Sequence, residues 1–152
     1  MTAPVYRRAA PSDGPEVRRI IRETLESYGV TWEPDGHDRD VMAFGEPKEL
    51  VLEFVAELDG RVVGSVIVTP RADGTGLLTK FFVDAAFRGR GVGRPLLGVA
   101  VDAARGAGLR RLELDTRSFF HEAVHLYEST GWRPISGPLE PGGCDLFYAL
   151  DL

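Results

Sequence analysis

Three arginines and three glycines share seven consecutive residues of this sequence, a combination that suits the binding of an anion. They are Arg88, Gly89, Arg90, Gly91, Gly93 and Arg94. Glycine tolerates positive φ and lets a ligand approach the backbone. A strand is predicted before the segment and a helix after it, and the first amides of a helix suit phosphate oxygens. Arginine adds cations for the same anion. The segment therefore predicts a pyrophosphate site, although a solvated glycine turn with surface arginines would have the same composition.

The glycine spacing differs from that of the common nucleotide-binding loops. Gly89-x-Gly91-x-Gly93 is followed by Arg94-Pro95. A dinucleotide fingerprint needs Gly-x-Gly-x-x-Gly, and a Walker loop ends in Gly-Lys-Ser/Thr. Neither pattern is present.

A second candidate for chemistry is the sequence His121-Glu122-x-x-His125. On a helix the two histidines would share a face and could bind zinc, with Glu122 as the base of a metallopeptidase. The third ligand would have to come from a residue such as Glu140 in a Pro/Gly-rich loop. The alternative interpretation is two surface histidines beside a solvated glutamate.

The elements that must position these residues follow from hydrophobic spacing. Helical spacing places Val17, Ile20, Ile21, Leu25 and Tyr28 on one stripe, and Asp13 with Glu16 predicts a capping box before it. Alternating or β-branched segments predict strands, and glycines mark the turns and helix ends. The predicted order is a helix, strands over 50–58, 61–69 and 77–83, a helix over 95–106, a strand over 110–115, a helix over 121–130 and a strand over 144–150. This order predicts a single mixed α/β domain over residues 1–152.

Composition excludes several classes of protein. The chain has 152 residues, a net charge of −5 and an apolar fraction of 43%. Its apolar stretches are short and broken by charge, so we expect no membrane span and no signal peptide. An acidic surface disfavours nucleic acid and mildly favours a cationic substrate. The chain has a single cysteine, Cys144, so it can form no internal disulfide, and a cytoplasmic location is expected. Cys144 itself is expected to pack in the last strand.

Two segments resemble the GNAT superfamily of N-acetyltransferases. Arg88-x-x-Gly91-x-Gly93, preceded by the strand end Phe82-Val83, is similar to the acetyl-CoA signature of that family. The run from Ala123 to Trp132 is similar to the family's Ala-Ile-x-Leu-Tyr-x-x-x-Gly-Phe, and the order of elements agrees. Two positions depart from the family pattern, since Ala85 replaces a proline and Phe120 replaces an asparagine that contacts the cofactor.

The resemblance implies a central mixed, mostly antiparallel sheet, flanked by helices and splayed open at the cofactor site. It implies direct transfer of an acyl group from acetyl-CoA to a small-molecule or peptide amine, with no metal and with Tyr127 as general acid. A homodimer is compatible with it. The implied cofactor-binding residues are Phe82, Val83, Arg88, Gly89, Arg90, Gly91, Val92, Gly93 and Arg94. A non-catalytic CoA-binding regulatory module and, less strongly, the zinc metallopeptidase remain as alternatives.

The general base and the acceptor are not identified by the sequence. Residues 77–83 contain no carboxylate, so Glu53 and Glu57 on an earlier strand, or a chain of water molecules, are the candidates for proton removal. Segments 29–48, 116–120 and 134–143 should shape the acceptor site. Trp32 and Phe44 lie in the first of these segments, where they would either line the amine site or pack in the core.

Overall fold

A computed structural model describes residues 3–152, which form one seven-stranded sheet with three helices. The strands are β1 (Val5–Arg8), β2 (Leu52–Leu58), β3 (Arg61–Pro70), β4 (Thr75–Val83), β5 (Arg111–Thr116), β6 (Arg133–Pro134) and β7 (Leu146–Asp151). The helices are α1 (Gly14–Ser27), α2 (Gly93–Gly106) and α3 (His121–Ser129). The strand order is β1-β2-β3-β4-β5-β7-β6, and among the strands of residues 3–152 only β4 and β5 pair in parallel. The predicted mixed, mostly antiparallel sheet is confirmed.

Helices cover both faces of the sheet. Helices α2 and α3 pack on one face, where Leu96, Leu97 and Tyr127 join the larger hydrophobic cluster. Helix α1 packs on the other face with Val17 and Ile21, as its spacing predicts. Because both faces of the sheet are covered, β2 buries side chains on both of its faces. Its alternating residues therefore belong to two hydrophobic clusters, rather than to one core and one solvated face.

Turns and helix ends agree with the sequence in part. Asp59-Gly60 turns β2 into β3 with positive φ at both residues. The predicted capping box is wrong, because the Asp13 side chain makes no cap hydrogen bond to α1 and instead accepts from Arg7 and from the Ala10 amide. Tyr28 ends α1 but is 40% exposed, so it leaves the predicted apolar stripe.

Strands β1 and β6 were not predicted. Strand β1 pairs with β2 at the sheet edge and carries Arg7 and Arg8, so it lacks an apolar alternation. Strand β6 has two residues. No helix within residues 3–152 has the length and hydrophobicity needed to cross a bilayer.

The central parallel pair is open at one end. Strands β4 and β5 pair only at Thr75–Arg111, Gly76–Leu112 and Leu77–Glu113, whereas β5 continues to pair with β7 as far as Thr116. Residues 78–83 of β4 therefore have β3 on one side and no strand on the other. This separation is the splayed sheet that the resemblance implies.

Candidate active site

The separation of β4 from β5 opens a cleft of about 770 Å³. Its walls come from residues 77–83 of β4, the end of β5, the start of α2 and one side of α3. The end of α1 and the segment after it form the remaining wall. The cleft therefore brings together the glycine loop, the strand end and Tyr127, which are far apart in the sequence.

The loop before α2 presents backbone amides without partners. Within the described chain, no amide of residues 88–94 donates a hydrogen bond to another protein group. Helix α2 starts at Gly93, so these amides lie at the positive end of its dipole. Of this loop, Arg88, Gly89, Gly91, Val92, Gly93 and Arg94 line the cleft. Open amides at a helix start are the arrangement that binds phosphate oxygens.

The three glycines are required for two different reasons. Gly89 and Gly91 both have φ of +75°, and a Cβ on either would meet nothing within 4 Å, so the space beside them is open to a ligand. At Gly93 a Cβ would lie 3.0 Å from Leu126 of α3 and 3.5 Å from Phe81 of β4. Glycine there lets α2 approach its neighbours closely, whereas the first two glycines shape the loop.

The three arginines occupy different surroundings. Arg88 donates to the Val83 carbonyl oxygen at 3.1 Å and to the Thr24 hydroxyl at 3.2 Å, so it ties the loop to β4 and α1. Arg94 lines the cleft and donates to the Ser129 hydroxyl at 3.0 Å. Arg90 does not line the cleft, and its guanidinium lies 5.3 Å from the centre of the Phe87 ring.

Two contacts that the sequence does not reveal hold the loop in place. The Tyr6 hydroxyl of β1 donates to the Val92 carbonyl oxygen at 3.2 Å. Arg19 of α1 donates to Asp84 at 2.7 Å, and Asp84 in turn accepts from the Ala86 amide at 3.0 Å. These residues position the loop from strands and helices outside its own segment.

Tyr127 projects from α3 into the base of the cleft. It is 4% exposed, and its ring packs against Phe81, Trp132 and Tyr148 at centroid distances of 5.7–5.9 Å. Its hydroxyl has no hydrogen-bond partner among residues 3–152. Burial, with a smaller contribution from nearby Cys144, raises the pKa of Tyr127. The hydroxyl is therefore a protonated donor that faces the cleft without a protein acceptor.

The opposite face of β4 presents a different surface to the cleft. Phe81 packs in the cluster beneath α2 and α3, whereas its neighbour Phe82 packs against the cluster beneath α1. Phe82 contacts Phe120 edge-on at 5.9 Å, and Phe120 contacts Tyr28 edge-on at 5.1 Å. Phe82, Phe120 and Tyr28 all line the cleft and are called the aromatic wall here.

Trp32 and Phe44 pack in the core, which is one of the two alternatives that the sequence allows, and do not belong to this wall. Phe44 is 1% exposed in the core beneath α1, and Trp32 packs against the same core. Neither lines the cleft. Segment 29–48 instead contributes polar side chains to it. The residues involved are Thr31, Glu33, His37, Asp38 and Asp40.

Lys80 links that segment to β4. Strand β4 shifts register between Ser65 and Ile67 of β3, and Lys80 has a φ of +52° at this bulge. Its ammonium lies 3.2 Å from Asp40 and 3.5 Å from Asp38, and its side chain is 10% exposed. A bulge redirects a side chain, which is why the strand pattern alone gave no sign of this ion pair.

The two glutamates considered as bases lie elsewhere. Glu53 accepts from the Gly45 amide and from Lys48, and Glu57 pairs with Arg7 of β1. Neither lines the cleft. They are structural ion-pair residues.

The histidine motif shares α3 with Tyr127. His121, Glu122 and His125 line the cleft, and Glu122 lies 4.0 Å from Arg88. In the described part of the chain, no three His, Cys, Asp or Glu side chains are grouped closely enough to hold a metal ion. Glu140 therefore does not provide the third zinc ligand that the motif would need.

Comparisons with known proteins identify the family of this chain. The model of the acetyltransferase (GNAT) family matches residues 17–132. The uncharacterized N-acetyltransferase YjgM of Escherichia coli (strain K12) is 30% identical over 151 residues, which cover 93% of this chain and 87% of that protein. The chain belongs to the GNAT acetyltransferase family. It is an acyltransferase that uses acetyl-CoA to acetylate an amine.

Solved structures show the same fold. A GCN5-related N-acetyltransferase from Kribbella flavida superposes with a TM-score of 0.82 at 27% identity, covering 99% of this chain and 98% of that one. The yncA protein of Salmonella typhimurium, solved with its cofactor acetyl-CoA, gives a TM-score of 0.80 at 21% identity, with 99% and 94% covered. The resemblance read from the motifs is confirmed.

Proposed function

We propose that residues 88–94 hold the pyrophosphate of acetyl-CoA and that the free edge of β4 holds its pantetheine arm. The observation that carries this proposal is the run of unpartnered amides at the start of α2, open to the cleft. Residues 78–83 lack a strand partner on the cleft side, and an extended ligand can pair with such an edge as a strand would. Phe82 and Val83 would contribute through their backbone, although the Val83 carbonyl oxygen already accepts from Arg88.

The three arginines have different roles in this proposal. Arg94 supplies a cation at the helix start, and the Gly91 and Val92 backbones contribute amides, whereas Arg90 packs on Phe87 and does not line the cleft. Arg88 acts chiefly by fixing the loop against β4 and α1. A phosphate bound here would meet main-chain donors and one guanidinium, a combination typical of strong anion sites.

Bound acetyl-CoA supplies an acetyl group activated as a thioester. The amine nitrogen forms a bond to the carbonyl carbon, the carbon–sulfur bond breaks, and the sulfur ends protonated as free CoA. Tyr127 donates a hydrogen bond, and then a proton, to the departing sulfur, and water returns to the Tyr127 oxygen the proton that the attacking nitrogen loses as the amide forms. Because burial raises the pKa of Tyr127, its hydroxyl stays protonated at neutral pH and beyond. Backbone amides near Phe82 and Val83 stabilise charge on the carbonyl oxygen, an effect worth about 3–4 kcal/mol per donor elsewhere.

The amine must lose a proton before it attacks. A lysine-like amine with a pKa of ~10.4 is neutral only about once in 2,500 molecules at pH 7. Glu53 and Glu57 do not line the cleft and are not placed to take this proton, so the proposal assigns its removal to water in the open cleft. The acceptor is a small-molecule or peptide amine, and residues 1–152 act as one domain in the cytoplasm, either alone or as a homodimer.

The test measures release of free thiol from acetyl-CoA with a panel of amines. The wild-type protein is expected to release thiol only when an amine is present. Tyr127→Phe should lower kcat by about 10²-fold, the lower end for a positioned proton donor, and leave the Kd for acetyl-CoA unchanged. Binding of acetyl-CoA without thiol release from any amine would favour the non-catalytic module.

A further inference from the structure

One part of the cleft wall, residues 33–40, has almost no hydrophobic side chain and is called the polar wall here. Its sequence is Glu-Pro-Asp-Gly-His-Asp-Arg-Asp, in which proline is the one apolar residue. Trp32 before it packs against the core beneath α1, and Val41 after it is buried in that core. Burial of apolar surface therefore fixes the two ends of the polar wall but not its middle.

The middle of the polar wall is held by polar contacts that meet at Asp38, a residue that is 2% exposed. Its carboxylate accepts from the Glu33 amide at 2.9 Å, and its own amide donates to the Glu33 carbonyl oxygen at 2.9 Å. The Lys80 ammonium lies 3.5 Å from Asp38 and 3.2 Å from Asp40, and it donates to the His37 carbonyl oxygen at 3.4 Å. Within residues 3–152, the Lys80 contacts are the only hydrogen bonds or ion pairs that join the polar wall to a strand or to one of the three helices.

The backbone of Lys80 is fixed as firmly as its side chain. Its φ of +52° belongs to the β4 bulge, and its carbonyl oxygen accepts from the hydroxyl of Ser65, a residue with no exposed surface. Glycine would adopt this conformation without strain. The lysine side chain adds an ammonium, directed at the polar wall and only 10% exposed. A residue that its surroundings hold against its backbone preference points to a functional constraint.

We propose that Lys80 is a positioning residue that holds the polar wall beside the free edge of β4 and thereby sets the affinity for the amine. This inference rests on the proposed function and deepens it on the acceptor side. The pantetheine arm and thioester are placed along residues 78–83, so the amine enters between that edge and the polar wall. Lys80 acts through Asp38. Without this contact the polar wall moves away from β4 in a fraction of the molecules, and the apparent affinity for the amine falls with that fraction.

The test variants remove the contact without leaving a buried charge. Lys80→Met removes the ammonium and keeps an unbranched side chain. Alone it would leave the buried Asp38 carboxylate without its cation, which is strongly destabilising. It is therefore combined with Asp38→Asn, whose side-chain oxygen can still accept from the Glu33 amide. Lys80→Arg restores a cation at the same position and tests for rescue.

A second lysine provides the matched control. The Lys48 ammonium lies 2.9 Å from Glu53, a residue that is 6% exposed, so this pair also joins a lysine to a buried carboxylate. Neither residue lines the cleft. Lys48→Met combined with Glu53→Gln therefore makes the same chemical change outside the site. It tests whether a loss of stability alone would explain the result.

The measurement is thiol release at saturating acetyl-CoA, with n-hexylamine, free lysine and triglycine as amines. For the amine with the highest kcat/KM, Lys80→Met with Asp38→Asn should raise KM about tenfold. Its kcat should stay within about twofold, the pattern of lost binding rather than lost transition-state stabilisation. Lys80→Arg should recover most of the affinity, and the Lys48 and Glu53 pair of changes should leave KM unchanged. Calorimetric titration with acetyl-CoA should give the same Kd for all variants, and its stoichiometry reports the folded fraction of each.

Each outcome decides the inference separately from the proposed function. An unchanged KM in Lys80→Met with Asp38→Asn overturns the inference, and so does a fall in kcat without a change in KM. An equal rise in KM in the control variant assigns the effect to lost stability and also overturns it. Failure of Lys80→Arg to lower KM overturns the role of the charge. Absence of acetyl-CoA binding, or of thiol release with all three amines, overturns the proposed function itself.

Discussion

The Tyr6 hydroxyl donates a hydrogen bond to the Val92 carbonyl oxygen at 3.2 Å, across 86 positions of the sequence. This bond joins the edge strand β1 to the loop that precedes α2. Tyr6→Phe removes only the donor and keeps the ring. We expect a two- to fivefold weaker Kd for acetyl-CoA, because one hydrogen bond contributes about 0.5–1.5 kcal/mol and acts here on loop position. Calorimetric titration measures it, and an unchanged Kd would show that β1 does not position the loop.

The glycine loop gives a prediction with an internal control. Gly91→Ala places a side chain at a φ of +75°, whereas Gly98→Ala adds one to an exposed site inside α2 with nothing within 4 Å. Gly91→Ala should weaken acetyl-CoA binding more than tenfold and cost about 1 kcal/mol of stability. Gly98→Ala should raise the free energy of unfolding by about 0.5–1 kcal/mol and leave binding unchanged. Equal binding by the two variants would contradict the role of the loop.

The pH dependence of kcat follows from the burial of Tyr127. The donor form is the protonated hydroxyl, and ionisation at high pH would remove it. Because burial raises the pKa of Tyr127 above the ordinary value of 10.0, this loss should lie above pH 10. Between pH 8 and about 10, we therefore expect the wild-type protein and Tyr127→Phe to show the same pH dependence of kcat. An alkaline limb below pH 10 that disappears in Tyr127→Phe would contradict this assignment.

Stability in acid depends on the pair formed by Arg7 and Asp13. Hydrogen bonding by Arg7 lowers the pKa of Asp13 below the ordinary value of 3.8, although burial opposes the shift. A carboxyl with a lowered pKa stabilises the fold above its unfolded pKa and loses that contribution as the pH falls through its folded pKa. We therefore expect the free energy of unfolding to fall below about pH 4.

The matched variants isolate this pair. Asp13→Asn should lose about 1–2 kcal/mol at pH 7, since a charge-assisted hydrogen bond at a buried carboxyl is removed, and should show a flatter decline in acid. Asp35→Asn, on an exposed side chain, serves as the control. Chemical denaturation at pH 7, 4 and 3 measures both. A decline of the same steepness in Asp13→Asn would assign the acid sensitivity to other carboxyls.

Local patterns in the sequence were enough to predict most of the fold and the position of the glycine loop before α2. The apolar spacing of the helix predicted over 95–106 agrees with the structure, where Leu96, Leu97 and Ala100 of α2 lie in the core. The motif around Gly91 and Gly93 marks the start of the same helix. These features depend on neighbours within one turn or one strand, where spacing and backbone preference carry the information.

The missed features depend on residues that are distant in the sequence. Strand β1 has charged residues on an edge and gains its partner from β2, so its own pattern is weak. The side chain of Lys80 is redirected by a bulge whose register is set by β3. Tyr28 falls at helical spacing but lies where α1 ends, and its ring faces the cleft instead of the core. Such contacts are decided by tertiary packing.

Amide hydrogen exchange, measured residue by residue with and without acetyl-CoA, tests the anion site most directly. In the free protein the amides of Gly89, Gly91 and Gly93 have no acceptor and should exchange rapidly. Saturating acetyl-CoA should slow their exchange at least tenfold, and inorganic phosphate alone should slow it less. Tight binding of acetyl-CoA that leaves these three amides exchanging at their free rates would contradict the account.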